Sequence, residues 1–296
     1  MTITALSILI PTYNDPCVAL VRDLRQQTEA AGILYEILVG DDGSTDASVV
    51  TENRQIEQWE HCRYLIQSQN IGRAAIRNLL AKEAHYDWLL FIDSDMTVIR
   101  PDFITKYVSQ GEADVVDGGV SIGGDVEALR HNLRYLYEKA SEHEHTVDMR
   151  RKNPYQDFHT ANFLIRHDLM RSYPFDERFR YYGYEDVLFG KTLRAAHIAI
   201  THIDNPTGFC TFESNPIFVA KTEEGLRTLR TFRQELRGYS RLLTFVEGIH
   251  IPLILSLVRL FHRLFGGIIR RNLCSRHPNL RLFSLYKLGY FSLHLN

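Results

Sequence analysis

Short apolar runs separated by stretches of helical spacing restrict the fold of this chain more than any other feature. Residues 7–10, 36–39, 64–66, 88–92 and 114–116 read as strands, and residues 72–80 carry apolar positions at helical spacing between two of them. This rhythm is that of βαβ units, so the expected fold class is α/β: a mostly parallel, twisted sheet flanked by helices. Asp15-Pro16 offers an N-cap with a first-turn proline, and Ser44-Thr45-Asp46 offers a second cap. The polar clusters Thr12-Tyr13-Asn14, Asp41-Asp42-Gly43-Ser44 and Asp93-Ser94-Asp95 each close a strand. Three strand ends therefore point to one edge, where open α/β sheets bind ligands.

Beyond this region, residues 126–144 read as one helix with Leu129, Leu133, Leu136 and Tyr137 on a common face, and Arg150-Arg151-Lys152-Asn153-Pro154 reads as a loop. Residues 159–165 and 197–203 are expected strands, with a helix over 185–196 between them. The composition, 45% hydrophobic with nine prolines in 296 residues, suits a folded chain with a sizeable core. Cys17, Cys62, Cys210 and Cys274 lie far apart with no CxxC pair, which suggests neither a zinc site nor a disulfide framework and fits a reducing compartment. The N-terminus lacks a basic start and a cleavage site, so the mature chain is expected to begin at Met1.

The chemistry-bearing residues cluster at the strand ends. Asp93 and Asp95 follow an apolar run and are two residues apart, so both carboxylates leave the same face of a strand tip. Such a pair suits Mg²⁺ or Mn²⁺ shared with nucleotide phosphates, although by itself it is also an ordinary solvated turn. Asp42 suits a base or ribose, or an Asp-Gly turn; Asn70, Gly72 and Arg77 suit a phosphate, or plain helix capping. Tyr181-Tyr182-Gly183-Tyr184-Glu185-Asp186 sets an aromatic run before two carboxylates at a helix start, where one carboxylate can act as general base and the tyrosines as a platform for a sugar ring; helix capping is the competing reading.

Taken in order, Ser7 to Asn14, Asp41 to Asp46, Asn70-Ile71-Gly72 with Arg77-Asn78, Phe91-Ile92-Asp93-Ser94-Asp95 and Gly183-Tyr184-Glu185-Asp186 resemble glycosyltransferase family two, which has the GT-A fold. The last motif is similar to the acceptor-side motif of the galactosyltransferase type. The resemblance covers roughly residues 5–220. It implies that Pro11, Thr12 and Tyr13 line the base pocket, that Asp42 bonds the base, and that Asp93 and Ser94 sit near ribose and phosphates. Asp95 would hold the metal, Mn²⁺ or Mg²⁺, with Asp93 beside it. Asp186 would be the catalytic base and Glu185 its neighbour on the acceptor. Many relatives carry a histidine shortly after the Asn-Pro that matches Asn205-Pro206, whereas this chain has Thr207-Gly208-Phe209-Cys210. His202 is the candidate replacement ligand, against a structural role in its strand.

The C-terminal quarter differs in charge. Residues 226–296 carry twelve Lys/Arg against Glu235 and Glu247, about +10 there and about −12 in the remainder. The expected division is therefore a catalytic domain over 1–225 and a basic, amphipathic helical extension over 226–296. Leu253, Leu257, Leu260, Phe261, Leu264 and Ile268 recur at helical spacing, interrupted by too many charges for a membrane span. Residues 242–271 then lie on an anionic membrane, or pack against the catalytic domain or a second subunit; nucleic acid is disfavoured because the arginines alternate with large aliphatics.

The expected function is transfer of a sugar from a nucleotide-sugar, with UDP the favoured nucleotide, to the hydroxyl of a saccharide or lipid-linked saccharide acceptor with inversion, in bacterial surface polysaccharide or glycolipid synthesis. The expected location is the cytoplasm, with peripheral contact at the inner membrane face. The alternatives are a nucleotidyltransferase that makes nucleotide-sugars and a catalytically silent nucleotide-sugar-binding assembly subunit.

Overall fold

In the computed structural model, residues 2–294 are described, so Met1 and the start expected there lie outside the description. The strands are β1 (Ala5–Thr12), β2 (Leu34–Asp41), β3 (Cys62–Ile66), β4 (Trp88–Ile92), β5 (Met96–Thr97), β6 (Val115–Asp117), β7 (Val120–Ile122), β8 (Asn162–Arg166), β9 (Ile200–His202) and β10 (Thr207–Phe209). The helices are α1 (Val18–Ala31), α2 (Ala47–Asn53), α3 (Arg73–Glu83), α4 (Phe103–Val108), α5 (Val126–Leu129), α6 (Leu133–Ser141), α7 (Val147–Lys152), α8 (His167–Ser172), α9 (Glu185–Ala195), α10 (Asn215–Thr231), α11 (Arg241–Glu247), α12 (Pro252–Leu273) and α13 (Leu280–Leu293).

The chain forms two compact units. The first comprises Met1–Gly123, Glu144–Arg180 and Phe189–Cys210. Its seven-stranded sheet has the order β3-β2-β1-β4-β8-β6-β9. Pairings β1/β2, β2/β3, β1/β4 and β6/β9 are parallel, and β8 runs antiparallel to β4 and β6. The expected mostly parallel sheet is present, with one reversed strand. Strands β1, β2 and β4 are buried almost throughout because helices cover the sheet, which explains why they read as apolar runs rather than alternating ones. Phe91 of β4 stacks on Phe163 of β8 at 4.8 Å, within a core that includes Phe158, Phe175 and Phe189. A three-stranded sheet, β5-β10-β7, belongs to the same unit.

The second unit comprises Gly124–His143, Tyr181–Leu188 and Thr211–Asn296. Its core joins Leu133 of α6, Phe218 and Val219 of α10, Ile269 and Leu273 of α12, and Phe283 and Tyr286 of α13. The boundary expected at residue 225 falls inside α10, and the C-terminal helices are part of a larger helical unit rather than a separate appendage.

Three local expectations are corrected. The helix over 126–144 is broken: Asp125 caps α5, and Asn132 caps a fresh start at α6 by accepting from the Tyr135 N–H at 2.9 Å. Residues 150–152 of the expected loop are the last turn of helix α7, where the Arg150 side chain is buried. Asp15-Pro16 does not start α1, which begins after Cys17; there the Cys17 N–H donates to Asn53 Oδ1 at 3.0 Å.

Candidate active site

Because β1, β2 and β4 are parallel neighbours, Thr12, Asp41 and Ile92 end at the same edge of the sheet. Asn14, in the left-handed region at φ 53°, ties two of these ends together. Its side-chain oxygen accepts from the Thr45 and Asp46 N–H groups at 2.8 and 2.9 Å, while its own N–H donates to Ser44 Oγ at 2.8 Å. Asp41 is wholly buried, accepting from the Ser44 N–H at 2.7 Å and from the Tyr64 hydroxyl. Neither Asn14 nor Asp41–Tyr64 stands out in the sequence as a positioning pair, since each partner lies more than twenty residues away.

Asp42 links β2 to the start of α3. The Asp42 N–H donates to Thr12 O at 2.9 Å, and its carboxylate accepts from the Ile71 and Gly72 N–H groups at 2.6 and 3.0 Å. Burial pushes its pKa up more than these two donors pull it down. The residue assigned to the nucleotide base thus already serves two backbone donors, and only lone pairs left over remain for a ligand. Gly72 adopts φ 97°, and a Cβ there would lie 2.9 Å from Arg180 O, so both conformation and space demand glycine.

One helical turn on, the side chain of Arg77 is buried beneath the strand ends. Its Nη2 donates to Asp93 Oδ1 at 2.6 Å, and its guanidinium lies 5.6 Å from the centre of the Phe175 ring. Asn78 holds that ring's segment by accepting from the Phe175 N–H at 3.0 Å and donating to Phe175 O at 2.9 Å. Thr12, Asp42, Gly72, Arg77 and Asp93 are therefore joined by a continuous series of contacts running through α3. Pro11 and Ser94 are half-buried, while Tyr13 and Asn70 are exposed at this edge.

Asp93, Ser94 and Asp95 form a tight turn, with the Met96 N–H donating to Asp93 O at 3.2 Å, and β5 follows at once. In β5, Met96 pairs with Phe209 of β10, and the Phe209 side chain is buried. Among the described residues, no three His, Cys, Asp or Glu side chains converge as a metal-binding group. The donors present, two carboxylates on one turn, fit a hard divalent cation whose other ligands are phosphate oxygens and water.

His202 has a different setting from the one expected of a free ligand. It is 2% exposed; Nδ1 lies 2.9 Å from Asp117 Oδ2 and 3.1 Å from Arg150 Nη1, and Nε2 lies 2.9 Å from Pro154 O. With both ring nitrogens engaged, it is an interior anchor rather than an open metal ligand. Arg150 also pairs with Asp117 at 3.0 Å and donates to the carbonyls of Gly118 and Ile203. Burial raises the pKa of Asp117, but the His202 hydrogen bond and the Arg150 charge bring it below the ordinary carboxylate value.

In the second unit, Gly183 and Tyr184 occupy the left-handed region in succession, at φ 92° and 71°, directly before the first turn of α9. Tyr182 is held by Thr228, whose hydroxyl donates to Tyr182 O at 3.0 Å, and Lys221 lies 5.8 Å from its ring centre. Gly183 faces Gly225, whose Cα would lie 3.5 Å from a Cβ added at Gly183, so it is the backbone angle rather than lack of space that favours glycine there. Burial and neighbouring charges push the Tyr184 hydroxyl up to about 12, and a hydrogen bond with Ser240 opposes that rise. Glu185 is buried, and Asp186, half-buried, accepts from the Val187 N–H at 2.8 Å. Two carboxylates thus begin a helix directly after a non-glycine residue, Tyr184, in the left-handed region.

The chain is similar to several known proteins. The chain is 27% identical over 220 residues to the hyaluronan synthase of Pasteurella multocida, which covers 64% of this chain and 22% of that one. It is 26% identical over 228 residues to the chondroitin synthase of Escherichia coli, covering 65% and 32%. An uncharacterized glycosyltransferase of Haemophilus influenzae is 32% identical over 98 residues, covering 32% and 38%. The chain thus spans well under half the length of these relatives. Among solved structures, residues 1–349 of S. aureus TarS in complex with UDP-GlcNAc share the fold, with a TM-score of 0.52 at 15% identity over 97% of this chain and 89% of that one. Residues 7–177, more than half of the sequence, match the family described as Glycosyl transferase family 2, and the chain belongs to that family.

Proposed function

We propose that the protein transfers a sugar from a UDP-sugar to an acceptor hydroxyl, with inversion at the anomeric carbon. The observation that carries this reading is the Thr12–Asp42–Gly72–Arg77–Asp93 series, which sets a buried cation against one carboxylate of the Asp93-Ser94-Asp95 turn at the ligand edge of a parallel sheet. Pro11, Thr12, Tyr13 and Asp42 take the base, and Asn70, Gly72, Ser94 and Asp93 take the ribose and phosphates. Asp95, with Asp93, holds Mn²⁺ or Mg²⁺, which when bound neutralises charge on the departing diphosphate. Asp186 accepts the proton of the acceptor hydroxyl as that oxygen bonds to the anomeric carbon and the bond to the diphosphate breaks; Glu185 orients the acceptor. The UDP-GlcNAc complex of TarS supports a UDP-sugar donor, and the similarity to a hyaluronan synthase and a chondroitin synthase supports a saccharide acceptor; a lipid-linked saccharide in surface polysaccharide or glycolipid assembly, met at the cytoplasmic side, is part of the same proposal.

A screen of nucleotide-sugars for nucleoside diphosphate release tests the reading, with Asp95→Ala and Asp186→Asn as controls. Release of UDP from one donor, lost in both variants, is the expected result. Turnover that depends on pyrophosphate and survives Asp186→Asn would instead identify a nucleotidyltransferase. Thermal stabilisation by UDP with Mn²⁺, without transfer to any of a broad acceptor panel, would identify a silent binder.

A further inference from the structure

The helix α12 carries its apolar stripe on the outside. Leu253, Leu257, Leu260, Leu264 and Ile268 lie along one side at helical spacing and are between 51 and 68% exposed, with Phe265 beside them at 45%. The opposite face is the one packed against α13: His262, Gly266 and Ile269 are buried, and a Cβ at Gly289 of α13 would lie 2.6 Å from His262 Nδ1. Close approach through glycines therefore uses the less apolar face of α12 and leaves the more apolar one uncovered. At 22 residues the helix spans about 33 Å. No helix among the described residues is long and apolar enough to cross a membrane.

The charge around this face selects its partner. From Gly248 to Asn296 the sequence has no Asp or Glu but seven Lys/Arg. Arg263 and Arg271 are exposed on α12 itself, while Arg270 is paired with Glu223 at 2.8 Å and Arg259 donates to Ser292 O at 2.9 Å. Two copies joined through this face by a two-fold axis would bring arginine edges together without intervening acidic groups. A bilayer with anionic headgroups takes the aliphatic stripe into its acyl boundary and the arginines at its phosphates. We propose that the outward face of α12 docks the protein on an anionic phospholipid bilayer, with the helix axis in the plane of the surface. This inference stands independently of the sugar-transfer reading.

Co-sedimentation of the full chain with vesicles of phosphatidylcholine, alone or mixed with phosphatidylglycerol, tests it. Binding should require phosphatidylglycerol and weaken between about 0.1 M and about 1 M salt, as the Debye length falls from about 10 Å to about 3 Å. The exposed double variant Leu257→Asp/Leu264→Asp should lose about tenfold in bound fraction while keeping the wild-type thermal transition by circular dichroism. Arg263→Glu/Arg271→Glu should lose the preference for anionic vesicles. Absence of vesicle binding, equal binding by the double aspartate variant, or a dimer in sedimentation velocity that this variant dissociates would overturn the proposal.

Discussion

Arg77 and Asp93 form an ion pair with unequal exposure: the arginine side chain is 2% exposed and the aspartate 19%, with 2.6 Å between Nη2 and Oδ1. The arginine therefore depends on its partner more than the aspartate does. Asp93→Ala removes an acidic partner from a buried cation and should destabilise the protein by about 3 kcal/mol, whereas Arg77→Met leaves a carboxylate that water can reach and should cost less. Urea denaturation of both variants checks the order, and the double variant isolates the coupling.

Glycine 72 is required both for its backbone angle and for the space beside Arg180. At Gly32 and Gly238, φ is also positive but nothing lies within 4 Å of an added Cβ. Gly32→Ala and Gly238→Ala should each cost about 1 kcal/mol from backbone strain. Gly72→Ala should cost more, and it alone should weaken UDP binding, because the Asp42 carboxylate bonds the Gly72 N–H. Thermal melts with and without UDP separate the two contributions.

Burial holds the pKa of His159 below its ordinary 6.5, opposed by Asp117. A histidine kept neutral in the folded state contributes stability above pH 6.5 that is lost as pH falls towards its lowered folded value, because the unfolded chain binds the proton first. Asp117, also lowered, adds a second loss below its ordinary 3.8. Stability measured by urea titration should thus decline in both ranges on acidification, and His159→Gln should shrink the upper loss without abolishing it, because His131 and His262 are also held below 6.5, chiefly by desolvation.

Ser240 has two roles in the second unit. Its Oγ accepts from the Leu243 N–H at 3.3 Å at the start of α11, and it hydrogen-bonds the Tyr184 hydroxyl. Ser240→Ala should therefore destabilise by about 1–2 kcal/mol, the sum of a lost cap and a lost buried hydrogen bond. Tyr184→Phe should lose only the second. If the left-handed Gly183–Tyr184 pair aims the carboxylates that follow, Tyr184→Phe should lower kcat more than it raises KM for the acceptor.

The sequence by itself determined the seven strands of the larger sheet, the polar tips of its central strands and the family, but not the short strands β5, β7 and β10. These are local signals: an apolar run marks a strand buried on both faces, and the residues immediately after it lie at that strand's end. The sheet edge shared by Thr12, Asp42 and Asp93 was legible for that reason. What only the tertiary structure decided depends on partners far apart in the chain. Arg150 reads as one of three basic loop residues, yet it is buried against Asp117, 33 positions earlier. His202 looks like an available ligand until both ring nitrogens are found engaged. Asp42 meets the backbone of α3 before it can meet a base. On α12 the periodicity defines an apolar stripe without saying whether it is covered, and it is the glycine contact with α13 that turns the stripe outward. A side chain's partner is set by which elements lie beside it, and that neighbourhood exists only once the chain has folded.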